Sequence, residues 1–296
     1  MKRILFTLLI FIRKIFSHTG VGKIPGLVRL YNKFFLTLKP AGEILTRVQN
    51  FDVFINADDV GMSQQLLERG TYEEYETEII NNVLKPGMNV VNVGANFGYY
   101  ALLAASRIGS TGKVHAFEPE PYNFNLLTKN IKQNKIENIV ANNFALGATK
   151  GKLSLFTDSK NVGNPSLSKL NVPNLKDEII VAVTTLDDYF ITNLKDASIG
   201  VIHMDVQGSE GLVLEGAKNI LKNPNLIIFM EFWPFGLSNM GTEPRVFLQN
   251  LKKDGFLIYV IDEATKSLNN CNIDDLIKLC TQKKNGRGFA NILLKK

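Results

Sequence analysis

"VVNVGANFGYYALLAA", residues 90–105, is a short and largely apolar run, a turn spaced by glycines, and then a helical pattern. A strand that turns through glycines directly into a helix lets a ligand come close to the backbone. The residues between the glycines then say which ligand. Here the turn is Gly94-Ala95-Asn96-Phe97-Gly98. A phosphate-cradling loop continues from its glycines into Lys and Ser or Thr, whereas Gly98 is followed by Tyr99 and Tyr100. The dinucleotide fingerprint G-x-G-x-x-G asks for glycine where Asn96 and Tyr99 stand. The tight turn and the helix N-terminus survive, and that positive end suits a smaller anion such as a carboxylate. The same glycines also fit a plainer role, strand-to-helix packing with no ligand.

Outward from the turn, strand and helix patterns alternate. Strands are expected at 90–93, 113–117, 138–143, 199–204, 226–231, 256–261 and 289–294, and helices at 98–107, 121–134, 209–221 and 243–254. Ahead of them, "FDVFINADDV" reads as a strand entering a turn. "GTYEEYETEIINNVLKPG" reads as a helix closed by Pro86-Gly87. Such alternation implies right-handed crossovers and an α/β, Rossmann-like, mostly parallel sheet with helices on both faces. "GKLSLFT" and "EIIVAVTT", separated by a polar loop, form a strand and loop insertion at about 151–184 rather than a second domain.

The second expected strand ends in "HAFEP", which puts Glu118 24 residues beyond Gly94. An acid at about that distance accepts hydrogen bonds from ribose hydroxyls. Turn and acid together describe a nucleoside that carries a carboxylate and no phosphate, and S-adenosylmethionine fits that description.

The segments "YEEYETEII", "VVNVGANFGYYALLAA", "HAFEPEPYNFNLL", "VTTLDDYF", "HMDVQGSEGLVLEGA" and "IIFMEFWP" follow one another in this order. Together they resemble the FkbM family of S-adenosylmethionine-dependent methyltransferases over about residues 70–235. The resemblance implies the class I methyltransferase fold, a seven-stranded Rossmann-like sheet, and O-methylation of a hydroxyl on a sugar, glycan or secondary metabolite. It also implies that Asn92, Gly94, Asn96, Gly98 and Glu118 line the cofactor site, with Asn143 near the adenine. The fourth-strand motif departs from the family's usual Lys-Ile-Asp-Val-Glu-Gly. This chain reads His203-Met204-Asp205-Val206-Gln207-Gly208, which puts substrate identity and the proton acceptor in question.

Methyl transfer to an alcohol needs alignment and a group to take the hydroxyl proton. Three residues are candidates for that role. Asp205 ends the fourth core strand, with capping of the next helix as its alternative role. Glu231 ends the fifth, with a rim carboxylate as its alternative. His203 lies on the face of Asp205 and reads as a buried core histidine before it reads as a base. Glu210 is expected to serve the helix dipole, and Glu73 and Glu74 to be solvated helix charges by default, although the resemblance implies a place at the cofactor rim for one of them. No metal is expected: Cys271 and Cys280 have no zinc spacing, and His18, His115 and His203 are scattered. Two other classes compete with the transferase. A nicotinamide-dependent Rossmann oxidoreductase is disfavoured by Asn96 and Tyr99, and an inactive cofactor-binding scaffold at a membrane is kept open by the N-terminal arm and Gln207.

Charge is unevenly placed. Residues 1–40 hold eight Lys or Arg and no Asp or Glu, leaving 26 basic against 28 acidic residues in the remainder. The composition of that remainder does not point to a nucleic-acid partner. The arm's apolar run Ile4–Ile12 is nine residues, under half of the roughly 20 that span a bilayer. Residues 25–40 carry a second amphipathic helix between Pro25 and Pro40. The arm, 1–40, therefore either lies on an anionic membrane surface or packs on a catalytic domain at 41–296. The expected location is the cytoplasm, with the inner face of a membrane as the arm's alternative.

Overall fold

A computed structural model describes residues 2–16, 24–59, 61–161, 163–193 and 198–296; His18 lies outside them. The chain divides into two compact units, Met1–Tyr72 and Glu73–Lys296.

In the first unit, helix α1 (Lys2–Phe16) precedes α2 (Pro25–Leu38), which starts on a proline already fixed at a helical φ. The unit extends beyond the boundary expected at residue 40. Strands β1 (Glu43–Val48) and β2 (Phe51–Asn56) form an antiparallel hairpin, followed by α3 (Ser63–Arg69). Val48, Val53, Ile55 and Leu66 are buried in it.

The second unit begins with α4 (Glu74–Val83), β3 (Asn89–Val93), α5 (Tyr99–Ile108), β4 (Lys113–Phe117), α6 (Pro121–Gln133) and β5 (Ile139–Asn142). Short β6 (Ala145–Leu146) pairs with β8 (Leu175–Thr184), and β8 pairs with β7 (Gly151–Asp158). This three-stranded side sheet, over Ala145, Leu155, Val181 and Val183, is built mainly from the 151–184 segment. The chain continues through α7 (Leu186–Asn193), β9 (Ile199–Met204), α8 (Glu210–Glu215), β10 (Ile227–Phe232), α9 (Pro234–Asn239) and α10 (Pro244–Lys253). It ends with β11 (Leu257–Asp262), β12 (Ser267–Asn270), α11 (Ile273–Thr281) and β13 (Ala290–Lys295).

The main sheet runs β12-β11-β13-β10-β9-β3-β4-β5. Strands β10, β9, β3, β4 and β5 are mutually parallel, and β13 is antiparallel to both its neighbours. Seven strands were expected; the eighth is β12, a polar edge strand paired antiparallel with β11. The central strands are buried on both faces, which is why they read as unbroken apolar runs: Val90, Val91, Val93, Val201, Ile202, Met204, Ile228, Phe229 and Met230 are all interior. From β3 the chain first moves outward to β4 and β5, and only later returns to β9 on the other side. The gap between the carboxyl ends of β3 and β9 is thus the switch point, where ligands bind in open sheets of this kind.

Candidate active site

The loop after β3 and the loop after β9 meet at that switch point. Gly94 has φ +73°, and a Cβ there would collide with the carbonyl oxygen of Asp205. The glycine is thus needed where the two loops meet. Asn96, where a dinucleotide turn would carry glycine, adopts φ 50°, a conformation asparagine tolerates better than most residues. Its Oδ1 accepts from Phe97 N and its Nδ2 donates to Gly163 O. The amides of Gly94 and Ala95 donate to Phe117 O, and that of Gly98 to Ala95 O. A Cβ on Gly98 would stand 2.8 Å from Leu127 Cδ1, so this glycine too answers to packing.

Glu118, just past β4, is 2% exposed. Its Oε2 accepts from Asn96 N at 2.7 Å and its Oε1 from Glu120 N at 2.9 Å. Burial pushes its pKa up to about 7 against the pull of those two amides. Each oxygen keeps a second lone pair for a ligand hydroxyl. Asn143 follows β5 and donates to Glu118 O at 2.9 Å and Pro119 O at 3.3 Å, fixing the backbone that carries the acid.

On the other side of the switch point, Asp205 N donates to Val93 O, and Asp205 Oδ1 accepts from Gln207 Nε2 at 2.5 Å. Burial raises the Asp205 pKa. Asp205 does not cap α8. Glu210, the first residue of that helix, instead braces the loop leading into it, its Oε1 accepting from Val206 N and Gly208 N, while its buried Oε2 has no hydrogen-bond partner among the described residues. Glu231, near the end of β10, is raised well above the usual range by burial and by Asp205, Glu210 and Glu73.

His203 is buried and neutral: burial lowers its pKa to about 4. Its ring lies 3.8 Å from that of Tyr100, its Nδ1 is 3.3 Å from Asn92 Nδ2, and its Nε2 is 3.5 Å from Glu76 Oε1. Asn92 is itself interior, with Oδ1 unpartnered. Both nitrogens of the imidazole thus face protein groups inside the sheet.

Two acids of the α4 region turn inward. Glu73, solvated by default in the sequence and one of two residues offered a place at the cofactor rim, has its Oε2 accepting from Tyr100 Oη at 2.8 Å and its Oε1 from Asn291 Nδ2 at 2.8 Å. Glu76 Oε2 accepts from the same amide at 2.6 Å. Burial pushes both up to about 8. Glu74 stays exposed, 3.4 Å from Lys266. The one local signal for Glu76 was its place on the buried side of α4 with Thr77 and Ile80. Glu263 accepts from the amides of Tyr75 and Glu76, supplying the cap that α4 lacks in its own sequence.

The 159–174 loop covers one side. Ser166 Oγ and Asn171 Nδ2 donate to Gln207 O, Asn171 also reaches Gly236 O, and Asn239 Nδ2 donates to Asn171 Oδ1.

The profile of the FkbM methyltransferase domain matches residues 92–258, more than half of the chain. The chain belongs to the FkbM family of S-adenosylmethionine-dependent methyltransferases. Solved structures similar to it include Trm5b of Pyrococcus abyssi (14% identity, covering 86% of this chain and 56% of that one, TM-score 0.44). An FkbM methyltransferase of Methylobacillus flagellatus is similar at 14% identity, 78% and 52% coverage and TM-score 0.42. An rRNA methylase of Streptococcus thermophilus is similar at 12% identity, 75% and 93% coverage and TM-score 0.42. The chain thus spans little more than half of the first two. No curated protein matches it.

The donor set fits the family's methyl donor, which pairs a ribose diol with two cationic groups, a sulfonium and an ammonium. Glu118 offers acceptors for the diol. Asp205, Glu231 and Glu73 are carboxyls whose neutral forms burial favours, and a cation placed beside them would favour their charged forms.

Proposed function

We propose that this FkbM-family chain methylates a hydroxyl of a small molecule or glycan, with Asp205 or Glu231 taking the hydroxyl proton. The observation that carries this reading is the pair of half-buried carboxyls at the ends of neighbouring strands β9 and β10, beside the turn held by Glu118. Bound S-adenosylmethionine supplies a methyl group already activated by the sulfonium. The chain's own residues have three tasks. Glu118 and the Asn96 turn hold the nucleoside, with Asn143 and Asn92 behind them. The 159–174 loop, pinned on Gln207, limits water. Burial raises the pKa of both carboxyls, so the ionised form of either is a stronger base than a carboxylate in water, and it takes the proton as the oxygen attacks.

A small hydroxyl is favoured over nucleic acid because the chain beyond residue 40 carries no positive excess to follow a phosphate backbone. The test uses the full chain with isotopically labelled S-adenosylmethionine, offering hydroxylated glycans, small alcohols and RNA in parallel. Transfer to the glycans or alcohols, lost in Asp205→Asn or Glu231→Gln, is expected. Label found only in RNA would overturn the acceptor class. Binding without transfer to any acceptor would favour the scaffold reading, and a thermal shift with NAD but not with S-adenosylmethionine would favour the oxidoreductase.

A further inference from the structure

We propose that helices α1 and α2 form a docking face for an anionic lipid bilayer, which they meet side-on without crossing it. The inner sides of the two helices are already occupied. Phe6 packs on Phe35 at 5.4 Å, and Arg13 lies over the Tyr31 ring at 4.5 Å while pairing with Glu68 at 3.0 Å. These contacts set the start of α1 against the end of α2, an antiparallel pair. A helix at the surface of a globular unit has one apolar stripe, facing inward; these two have a second. On α1, Leu8, Phe11 and Ile15 stand 51%, 59% and 54% exposed, on the side opposite Phe6. On α2, Leu27, Leu30 and Phe34 repeat at three and four and are 45%, 51% and 50% exposed. So many large apolar side chains left in water on one helical pair mark an interaction surface.

Charge selects the occupant. Residues 1–40 contain eight Lys or Arg and no acid. The fold uses Arg13 on Glu68 and Lys39 on the carbonyl of Ala57, while Arg29 and Lys33 are exposed beside the apolar stripe of α2. A second copy of this face would bring like charges together across a two-fold axis. An anionic headgroup layer complements them, and the apolar side chains enter the acyl boundary below. No helix among the described residues is long and apolar enough to cross a membrane, so the contact is peripheral.

The test is co-sedimentation of the full chain with vesicles of phosphatidylglycerol and phosphatidylcholine in equal parts, beside vesicles of phosphatidylcholine alone. Binding to the anionic vesicles is expected, weakening as salt shortens the Debye length. Arg29→Gln and Lys33→Gln should each lower the partition coefficient about fivefold. The double variant Phe11→Glu, Phe34→Glu should abolish sedimentation while leaving the melting temperature and S-adenosylmethionine affinity unchanged, because both rings are exposed. Two results would overturn the proposal. One is a full chain that stays in the supernatant with anionic vesicles at low salt. The other is a lipid-free dimer, seen by analytical ultracentrifugation, that the same double variant splits, which would assign the face to a second copy.

Discussion

The amide of Asn96 donates to Glu118 Oε2 at 2.7 Å, so the turn after β3 and the acid after β4 hold one another in place. Glu118→Ala should therefore weaken S-adenosylmethionine binding twice, through the lost ribose contacts and through a loosened turn. A loss of at least about 1.5–3 kcal/mol is expected for a hydrogen-bonded charge. Titration calorimetry on the folded variant checks it, and unchanged affinity would remove Glu118 from the site.

Binding should also move a proton. Glu118 sits near half-protonation at neutral pH, its pKa raised to about 7 by burial. Ribose hydroxyls donating to it favour the ionised form and lower that pKa. Calorimetry near pH 7 in buffers of different ionisation enthalpy should show proton release on binding. Glu118→Gln should remove that release. Proton uptake in the native chain would contradict the assignment.

The buried acids predict a slope in stability. Glu73 and Glu76, ordinarily near 4.5, are raised to about 8. Their stabilising contribution is complete below 4.5 and is lost as pH rises through 8, with Glu118 and Glu210 adding to the same trend. His203 runs the other way, complete above 6.5 and lost as pH falls through about 4. Between 6.5 and 8 the acids alone vary, so the ligand-free melting temperature should fall across that window. Glu76→Gln should flatten the fall, and a native curve that rises there would count against the buried cluster.

Gly94→Ala should harm folding as well as binding. The added Cβ meets the Asp205 carbonyl, and the residue must hold φ +73°. A positive-φ strain of about 1–3 kcal/mol is expected before any clash is counted. Calorimetric unfolding of the variant without ligand reads this directly; an unchanged melting temperature would show that the two loops are not in contact.

Asn171→Ala should free the 159–174 loop, since one side chain there bonds Gln207, Gly236 and Asn239. Faster proteolytic cleavage inside the loop is expected, with the main sheet intact. Equal cleavage rates for variant and native chain would show that the loop is held elsewhere.

The central strands were legible because burial on both faces leaves an apolar run with little else in it, and β4 and β9 fall where the sequence puts them. Helix α3, with seven residues, and α9, with six, are too short to show a period, and β12, "SLNN", is a polar edge with no apolar face. The position of Glu118 was readable because it depends on a local strand length. The inward turn of Glu73 was not, because its partner Asn291 lies 218 residues away and no local pattern announces it. Gly94 shows the same limit: its spacing was visible, but the carbonyl that requires it belongs to another loop.

Strand β13 lies between β10 and β11, both made before it, and it carries the amide that joins Glu73 to Glu76. During synthesis β10 and β11 must therefore wait with open edges, since their shared neighbour emerges only after α11. Contacts of such long sequence separation form slowly. The Glu73–Asn291–Glu76 contacts are thus expected among the last of the unit to form, after the parallel strands that carry the glycine turn and Glu118 have already been made.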